Sequence, residues 1–303
     1  MTKATNSTVP PASLLICSRN RPQLLWETIE SILAGDEIPD EMIIIDQSDA
    51  PDPFLSTFQP ERICTFRYLW SEQKGVSLGR NMAAAAATHP ILVFTDDDMW
   101  ATPDWFGLMA RAVKVSAPRT AITGRVLASA EDGDDGFAPS TREDEQIVHY
   151  EGRINRDVLF TNNMALRRAD FDAVGGFDVR LGPGTPFPAA EDNDFAFRWL
   201  EAHGRIIYDP RPTLYHRAWR SEKEFIWLHW NYGYGQGAFY GKHLSLRDRF
   251  ILKRFIRDVW AYLFRFPLRF WRDRRQAYQD FLFATGILYG ALQWQLSSPE
   301  EVI

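Results

Sequence analysis

The sequence predicts an α/β fold, in which a mostly parallel sheet is flanked by helices and followed by a helical C-terminal region. Short apolar runs of strand length alternate with amphipathic or alanine-rich segments of helix length, which is typical of a parallel sheet with crossover helices. Two of the apolar runs end directly on carboxylates, at Asp46 and Asp96. Because open α/β sheets bind ligands at the carboxyl ends of their strands, these acidic residues mark the predicted site.

The predicted elements follow one another in a regular order along the first two thirds of the chain. Strands are predicted at 12–17, 42–46, 63–69, 91–94, 120–128, 158–166, 206–208 and 213–216. Helices are predicted from 22 to about 33, at 77–87, 104–115 and 169–174, and from 191 onward. Pro22 suits the first turn of its helix and Gly35 is a suitable stop.

Length and composition are those of a globular protein with one large or two modest domains. The 303 residues are 45% hydrophobic and 24% charged. Cys17 and Cys64 are too few for a disulfide framework, which favours a reducing, cytosolic setting. Residues 1–11 are polar and lack the apolar core of a signal peptide, so a flexible tail is expected there.

Asp96, Asp97 and Asp98 come one residue after the predicted buried strand at 91–94. Three adjacent carboxylates repel one another and require a counter-charge. A divalent cation that holds a phosphate would supply it, since hard oxygen ligands suit Mg²⁺. A solvated acidic turn is the alternative interpretation.

Glycine motifs of other nucleotide-binding folds are missing. No glycine lies between Cys17 and Leu33, so the first strand–helix connection lacks G-x-G-x-x-G, and a dinucleotide cofactor is not expected. Gly233, Gly235 and Gly237 lie in an aromatic, helix-like segment, where close packing is a better explanation than phosphate binding.

Several motifs in combination resemble those of family 2 glycosyltransferases with the GT-A fold, a Rossmann-like fold of nucleotide-diphospho-sugar transferases. The matching segments are Ser18–Pro22, Asp46, Gly75–Asn81 (as G-x-x-x-A-R-N, with glycine at 79), Asp96–Asp98 (as D-x-D), Asn163–Arg168, Gly175–Asp178, the pair Glu191–Asp192, and His216. The resemblance implies a catalytic domain over 12–220, with a donor-nucleotide half at 12–98 and an acceptor half at 99–220. Residues 221–303 correspond to the variable part of the family.

The resemblance also implies a role for each matching residue. Donor binding is expected from Ser18, Arg19, Asn20, Arg21, Asp46, Arg80, Asp96 and Asp97, metal binding from Asp96, Asp98 and His216, and acceptor contacts from Asn163. Gly182 and Gly184 are expected to border the acceptor for a different reason, because their loop lies just before Asp192; a simple turn is the alternative there. Asp46 is compatible with a uridine donor and does not exclude guanosine or thymidine. Asp192 is the predicted general base, and Glu191 is expected to orient the acceptor or a backbone amide.

Each of these roles has a structural alternative. Acidic residues at 191–194 also suit the first turn of a helix, because the helix dipole stabilises them there. Arg80 is expected to neutralise diphosphate charge, but an exposed helix arginine is the alternative. His216 as a ligand would favour Mn²⁺ over Mg²⁺, whereas a hydrogen-bonded histidine at a strand end would hold no metal.

The C-terminal region differs from the rest of the chain in charge. Residues 1–220 contain 22 Lys/Arg and 32 Asp/Glu, so this part is acidic. Residues 221–303 contain 12 Lys/Arg and 8 Asp/Glu, so the C-terminal region is basic. Basic and aromatic residues interleave from Lys242 to Arg275, and the apolar positions 251, 255, 259 and 263 share one helical face. Such a helix is typical of elements that lie on anionic membranes, and packing on the catalytic domain or a second subunit is the alternative.

Two further features qualify the helical region. Pro267 is expected to break its helix in two, and the apolar run 281–292 is too short to span a bilayer. No recognisable nucleic-acid-binding module accompanies the basic residues, so nucleic acid is not an expected partner.

The sequence therefore predicts a metal-dependent, inverting glycosyltransferase that uses a nucleoside-diphosphate-sugar, weakly favouring UDP, with Mn²⁺ or Mg²⁺. Its predicted acceptor is a saccharide or a lipid-linked saccharide in surface polysaccharide biosynthesis, and its predicted location is the cytoplasm, at the inner face of the membrane. A sugar nucleotidyltransferase is one rival, although it normally has a glycine-rich activation loop that Ser18–Pro22 lacks. A GT-A-like binding or scaffold protein without turnover is the other.

Overall fold

The structure is a computed structural model that describes residues 9–62, 64–129, 140–217, 222–244 and 248–297. The predictions made for residues 1–8 and 63 lie outside these ranges. Within them the strands are β1 (Ala12–Ser18), β2 (Glu41–Asp46), β3 (Thr65–Trp70), β4 (Ile91–Asp96), β5 (Met99–Ala101), β6 (Thr120–Ala128), β7 (Val148–Glu151), β8 (Asn163–Arg167) and β9 (Arg205–His216). The helices are α1 (Pro22–Leu33), α2 (Val76–Ala86), α3 (Trp105–Val115), α4 (Arg168–Val174), α5 (Glu191–Glu201), α6 (Glu222–His243), α7 (Arg249–Phe270) and α8 (Arg274–Leu296).

The described strands form one sheet, whose order is β3-β2-β1-β4-β8-β6-β9-β5, with β7 paired to β9. The first four strands are parallel, as predicted. The other half is mixed, because β8 runs antiparallel to both β4 and β6 while β6 and β9 are parallel. The carboxyl ends of β1 and β4 lie side by side, with Cys17 opposite Asp96.

The sheet is covered by helices on both faces, because its strands are apolar on both. On one face, Leu15, Ile43 and Phe94 pack with residues of α2, α4 and α5. On the other, Leu14 and Ile44 pack with residues of α1 and α3. Alternate residues of each strand thus enter different layers of the core, which explains the uninterrupted apolar runs.

The structure corrects several predicted strands. The two predicted strands at 206–208 and 213–216 are one strand, β9, whose register against β6 shifts after Gly124. The predicted strand at 158–166 is ordered as a strand only from Asn163, although Val158 and Leu159 are buried in the core. The short strands β5 and β7 were not predicted.

The C-terminal helices pack closely on one another and on α5. A Cβ atom on Gly233, Gly237 or Gly290 would collide with the backbone of the facing helix, so these glycines allow α6 and α8 to approach, as the sequence indicated. The predicted break at Pro267 is wrong, because α7 continues to Phe270 and the proline lies in its last turn. Within the described residues, no helix is both long and apolar enough to cross a lipid bilayer.

Candidate active site

A cleft of about 830 Å³ opens at the carboxyl ends of β1 and β4. Its walls come from the loops after these strands, from the start of α2, from the segment that leads into α5, and from α6 and α8. The predicted site residues that line it are Ser18, Arg19, Arg21, Arg80, Asp96, Asp97, Asp98, Gly184, Glu191, Asp192 and His216. Most of the predicted site is therefore brought together, although its members come from six separate segments of the chain.

Arg80 connects the two acidic parts of the cleft. One of its terminal nitrogens, Nη2, lies 2.8 Å from Asp96 Oδ1, while Nη1 lies 3.2 Å from Glu191 Oε1 and 3.6 Å from Asp192 Oδ1. The side chain is almost fully buried, which excludes the exposed-arginine alternative. Burial opposes its charge, but the three carboxylates outweigh that effect and raise its pKa.

A second arginine compensates the other two carboxylates of the acidic run. Arg21 Nη2 lies 2.5 Å from Asp97 Oδ1, and Arg21 Nη1 donates to Asp98 Oδ2 at 2.7 Å. Ser18 Oγ donates to Asp97 Oδ2 at 2.6 Å. Asp97 and Asp98 are buried, so the solvated-turn alternative is wrong. Burial raises the pKa of Asp97 to about 7 despite Arg21.

His216 reaches the acidic run because two strands converge on it. Met99, the first residue of β5, pairs with His216 at the end of β9, and the Arg217 amide donates to the carbonyl of Asp98. His216 Nε2 then lies 3.4 Å from Asp98 Oδ1. Burial alone would raise the pKa of Asp98, but His216 and Arg21 lower it to about 2.

The donor set at Asp98 and His216 fits a small divalent cation that also binds phosphate oxygens. Such cations bind oxygen at roughly 2.0–2.1 Å and usually keep several non-protein ligands, so two protein atoms 3.4 Å apart can share one. Asp98 presents Oδ1 to His216, while its other oxygen is held by Arg21. Among the described residues, no three His, Cys, Asp or Glu side chains form a complete metal-binding group on their own. Asp96, the third predicted ligand, lines the same cleft, and its Oδ1 lies 2.8 Å from Arg80 Nη2.

Glu191 and Asp192 occupy the first turn of α5, facing Arg80. Thr161 donates to both oxygens of Asp192, from its hydroxyl at 2.6 Å and from its amide at 3.2 Å. Burial raises the pKa of Asp192, against the opposing effects of Arg80 and Thr161. Burial and the charge of Asp192 raise the pKa of Glu191 to about 7. Carboxyl groups with raised pKa values in a cleft are suited to proton transfer near neutral pH.

Four predicted site residues do not line the cleft. Asp46 is buried, accepting hydrogen bonds from Ser48 and Tyr68, and Asn20 joins its loop to the one after β2 through Ser48 and Asp49. Gly182, with a φ of 103°, packs against Val76 and the carboxyl group of Glu191.

Asn163, the fourth of these residues, lies wholly inside the core. It accepts a hydrogen bond from Trp105 Nε1 and donates to the carbonyls of Arg125 and Pro212. The residue before it, Asn162, lines the cleft instead. Which of two adjacent asparagines faces the cleft depends on the register of β8, and the sequence pattern did not determine it.

Sequence reasoning missed Thr161, Gln47 and the wall that α6 and α8 contribute. Gln47 donates to the carbonyl of Gly75, which lies before α2 and has a φ of 117°. The wall consists of Leu228, Asn231, Tyr232 and Gln236 of α6 and Phe283 of α8. Thr161 could have been found from its place in Thr161-Asn162-Asn163, whereas aromatic helices near the C-terminus give no sequence signal for lining a cleft.

Two residues near the cleft, Ser77 and Cys17, have side chains that can be nucleophiles in other enzymes, but their surroundings here do not activate them. Residues 75–79 read G-x-S-x-G, but Ser77 is buried on α2 and donates to the carbonyl of Leu181 at 2.6 Å. Cys17 lines the cleft, and burial raises the pKa of its thiol to about 12. Neither residue is suited to covalent catalysis.

Comparison with known proteins identifies the family. A family model described as glycosyl transferase family 2 matches residues 13–175, more than half of the chain. The chain belongs to glycosyltransferase family 2. It is 26% identical over 235 residues to the glucosyl-dolichyl phosphate glucuronosyltransferase of Haloferax volcanii, a match that covers 71% of this chain and 72% of the relative. The predicted activity class, a glycosyltransferase, is confirmed.

Solved structures with the same architecture confirm the GT-A fold. GalNAc-T7, solved with UDP, GalNAc and Mn²⁺, superposes with a TM-score of 0.61 at 12% identity over 85% of this family 2 chain, which spans about half (51%) of GalNAc-T7. The mannosyltransferase PcManGT from Pyrobaculum calidifontis, solved with GDP-Man and Mn²⁺, superposes with a TM-score of 0.59 at 14% identity, covering 97% of this chain and 89% of PcManGT. S. aureus TarS 1–349 in complex with UDP superposes with a TM-score of 0.56 at 14% identity, covering 91% of this chain and 90% of the TarS chain.

Proposed function

We propose that this glycosyltransferase moves a sugar from a nucleoside-diphosphate-sugar to a hydroxyl group in a single, inverting displacement that depends on Mn²⁺ or Mg²⁺. The observation that carries the proposal is the position of Arg80, which bonds to Asp96 on the predicted donor side and to Glu191 on the predicted acceptor side. The two acidic parts of the site thus meet across one buried cation. The proposed acceptor is a saccharide or a lipid-linked saccharide.

The relatives support the choice of donor and metal. GalNAc-T7 and PcManGT were solved with Mn²⁺, and the donor-type ligands in these structures are UDP and GDP-Man. TarS was solved with UDP. The named activity of the Haloferax relative transfers a glucuronosyl group to a lipid-linked glucose. We propose a nucleoside-diphosphate-sugar donor for this chain also, with UDP favoured as the nucleotide.

In the proposed step the acceptor oxygen forms a bond to the anomeric carbon as the bond from that carbon to the diphosphate oxygen breaks. The acceptor proton passes to Asp192, and the electron pair of the broken bond leaves with the diphosphate. Attack from the face opposite the diphosphate inverts the anomeric centre. Thr161 holds Asp192 through two hydrogen bonds, which fixes the orientation of the base.

Charge on the departing diphosphate requires compensation by the other residues of the cleft. Arg80 and Arg21 are the buried and half-buried cations at its floor, and Arg19 also lines it. Asp98 and His216 would hold the cation, which when bound supplies Lewis-acid stabilisation of the diphosphate. Glu191, whose pKa is about 7, is in place to accept a hydrogen bond from the acceptor or to donate one.

The proposal is tested by comparing transfer and donor binding in one pair of variants. Purified protein is incubated with a panel of nucleoside-diphosphate-sugars, simple glycoside acceptors and Mn²⁺, and the nucleoside diphosphate released is measured. Asp192→Asn is expected to lower transfer by about 10²–10⁴-fold, the usual contribution of a general base. Donor affinity, measured by calorimetry, should stay within about twofold. Asp172→Asn, at an exposed position on α4, is the matched control and should transfer normally.

The outcomes also separate the rival functions. A sugar nucleotidyltransferase would release pyrophosphate from a nucleoside triphosphate and a sugar phosphate. A scaffold protein would bind the donor without releasing its diphosphate. Transfer that persists in Asp192→Asn, or that is unaffected by EDTA, would overturn the proposed mechanism.

We further propose that the enzyme works in the cytoplasm at the inner face of the membrane, in the synthesis of a surface polysaccharide. The support is the basic, aromatic C-terminal region, which both lines the cleft and carries a large exposed apolar surface. Fractionation of cells that express the tagged chain would test the location.

A further inference from the structure

The face of α7 that sequence periodicity selected for a membrane role is turned inward. Ile251 is fully buried, and Phe255 and Val259 pack against the cluster formed by Phe239, Tyr240 and Ile287. Arg254, on the same helix, is also buried and donates to Asp157 at 2.7 Å. The packing alternative is therefore correct for this face, and it attaches α7 to the body of the protein.

A different face of α7 is apolar and exposed. Trp260 is 65% exposed, Phe264 63%, Leu268 62% and Trp271, just past the helix, 82%. Steps of four and three residues keep these side chains on one side of the helix. Tyr278, in the first turns of α8, is 50% exposed. We define residues 260–278 as the hairpin tip, since they form the end of α7, the turn and the start of α8.

Contacts between the inward-facing side chains of α7 and α8 hold the hairpin tip together, and the exposed face is not part of them. Phe266 packs on Phe281 with ring centroids 5.4 Å apart, and Tyr262 packs on Phe283 at 4.5 Å. Arg269 donates to the buried carboxylate of Asp280 at 2.9 Å. The inner seam thus uses its own aromatic residues, so the exposed ones are not required to hold the hairpin together.

Basic side chains surround the exposed aromatic face. Four arginines of the tip are exposed: Arg265, Arg272, Arg274 and Arg275. Between residues 260 and 278 the sequence has one acidic residue, Asp273, which caps α8. Tryptophan side chains prefer the boundary between lipid headgroups and acyl chains, and arginines beside them can bind lipid phosphates. A second copy of the chain is a poorer partner, because a two-fold contact places the same arginines of both copies together.

From this surface we propose that the hairpin tip inserts shallowly into an anionic lipid bilayer. Trp260, Phe264, Leu268 and Trp271 enter the interface, and the arginines around them bind the headgroup phosphates. The inference deepens the proposed membrane location and needs no donor or acceptor, so its test can fail while the transferase proposal stands, and the reverse.

The experiment is flotation of the purified full chain with vesicles of phosphatidylcholine alone or with 30% phosphatidylglycerol. The wild type should float with the anionic vesicles, and 0.5 M NaCl should weaken this binding. A Phe264→Ser, Leu268→Ser, Trp271→Ser variant should bind at least tenfold more weakly. The matched control is Ile147→Ser with Val179→Ser, which removes exposed apolar side chains from the body of the protein and should bind like the wild type.

Three measurements decide the outcome. Thermal unfolding checks that the variants are folded, and Arg272→Gln with Arg274→Gln provides a second variant that leaves the apolar face intact and should also weaken binding. Equal flotation of the wild type and both tip variants would overturn the proposal, as would the absence of flotation with anionic vesicles. Light scattering that shows a dimer lost in the serine variant, without vesicle binding by the wild type, would assign the face to a second copy instead.

Discussion

Asp192 and Asp194 lie two residues apart in the first turn of α5, but their surroundings are opposite. Asp194 is fully buried and has three basic partners, with Arg198 Nε at 2.8 Å, Lys242 Nζ at 2.7 Å and His243 Nε2 at 2.8 Å. Burial would raise its pKa, but these partners lower it to about 2. Among the described residues, the basic partner of Asp192 is Arg80 at 3.6 Å, which it shares with Asp96 and Glu191, and its pKa is raised.

The difference separates a structural carboxylate from a reactive one. A charge with several close partners is stable and unavailable for proton transfer, whereas Glu191 and Asp192, which share one arginine, have raised pKa values and bind a proton more readily. Two of the three partners of Asp194 come from α6, and Gln236 of α6 also accepts a hydrogen bond from Asn193. The C-terminal region therefore holds the helix that carries the proposed base, in addition to lining the cleft.

The largest expected effect comes from removing the shared cation of the reactive pair. Arg80→Met would leave three carboxylates, two of them in the same helical turn, without their buried partner. Loss of one partner of a buried ion pair costs about 3–5 kcal/mol, so we expect a decrease of that size in the free energy of unfolding and a loss of transfer. Urea denaturation and the diphosphate-release assay measure the two effects.

A surface arginine provides the control for this variant. Arg205 lies 2.8 Å from Glu151, but both side chains are more than half exposed. Arg205→Met should therefore cost less than about 1 kcal/mol. If the two variants were equally stable, Arg80 would not be the cation that holds the acidic parts of the cleft together.

A smaller effect is expected from weakening the structural carboxylate. Lys242→Met removes one of the three partners of Asp194, and also the contact of Lys242 with Asp178 at 2.8 Å. Since Arg198 and His243 remain, we expect a loss of about 1.5–3 kcal/mol in unfolding free energy, the usual contribution of a hydrogen bond to a charged group. Transfer should decrease less than in Arg80→Met.

Lys253→Met tests whether charge alone explains the result. Lys253 is an exposed lysine on α7, so its loss removes the same charge without touching α5. It should leave both stability and transfer unchanged. If Lys242→Met lost transfer as completely as Arg80→Met, the assignment of Asp194 as a purely structural carboxylate would be wrong.

The parts of the site that sequence predicted are those fixed by strand ends. Asp96 ends β4, His216 ends β9, and Glu191 begins α5, so their convergence follows from the predicted fold. The confirmed family explains why distant motifs meet. Arg80 was predicted at the donor, but its contact with the acidic pair on α5 depends on the packing of α2 against the 181–184 segment, which no local pattern encodes.

The parts that sequence missed depend on choices between similar neighbours. Asn162 and Asn163 differ only in register, and α7 is apolar on more than one side, so periodicity could not tell which face is covered. Asp46 ends β2 as predicted, but Tyr68 and Ser48 of neighbouring segments bind it. In each case the outcome is determined by a partner that is distant in sequence or by a shift of one residue.

The finest comparison within α5 is the pH dependence of stability. The pKa of Glu191 rises from 4.5 to about 7, so the folded state binds this proton more tightly than the unfolded state. Its contribution to stability is therefore present below about pH 4.5 and is lost as the pH rises towards 7.

Asp194 acts in the opposite direction, because its pKa is lowered from 3.8 to about 2, and the stability it contributes is lost as the pH falls through that range. Urea unfolding of the wild type and Glu191→Gln between pH 4 and 8 should show a smaller decline in the variant between about 4.5 and 7, because the remaining decline belongs to Asp97, whose pKa burial also raises to about 7. Glu30→Gln, at an exposed position on α1, should retain it. An unchanged slope in Glu191→Gln would mean that this carboxyl group titrates normally, and that the first turn of α5 does not contain a proton-binding group poised near neutral pH at position 191.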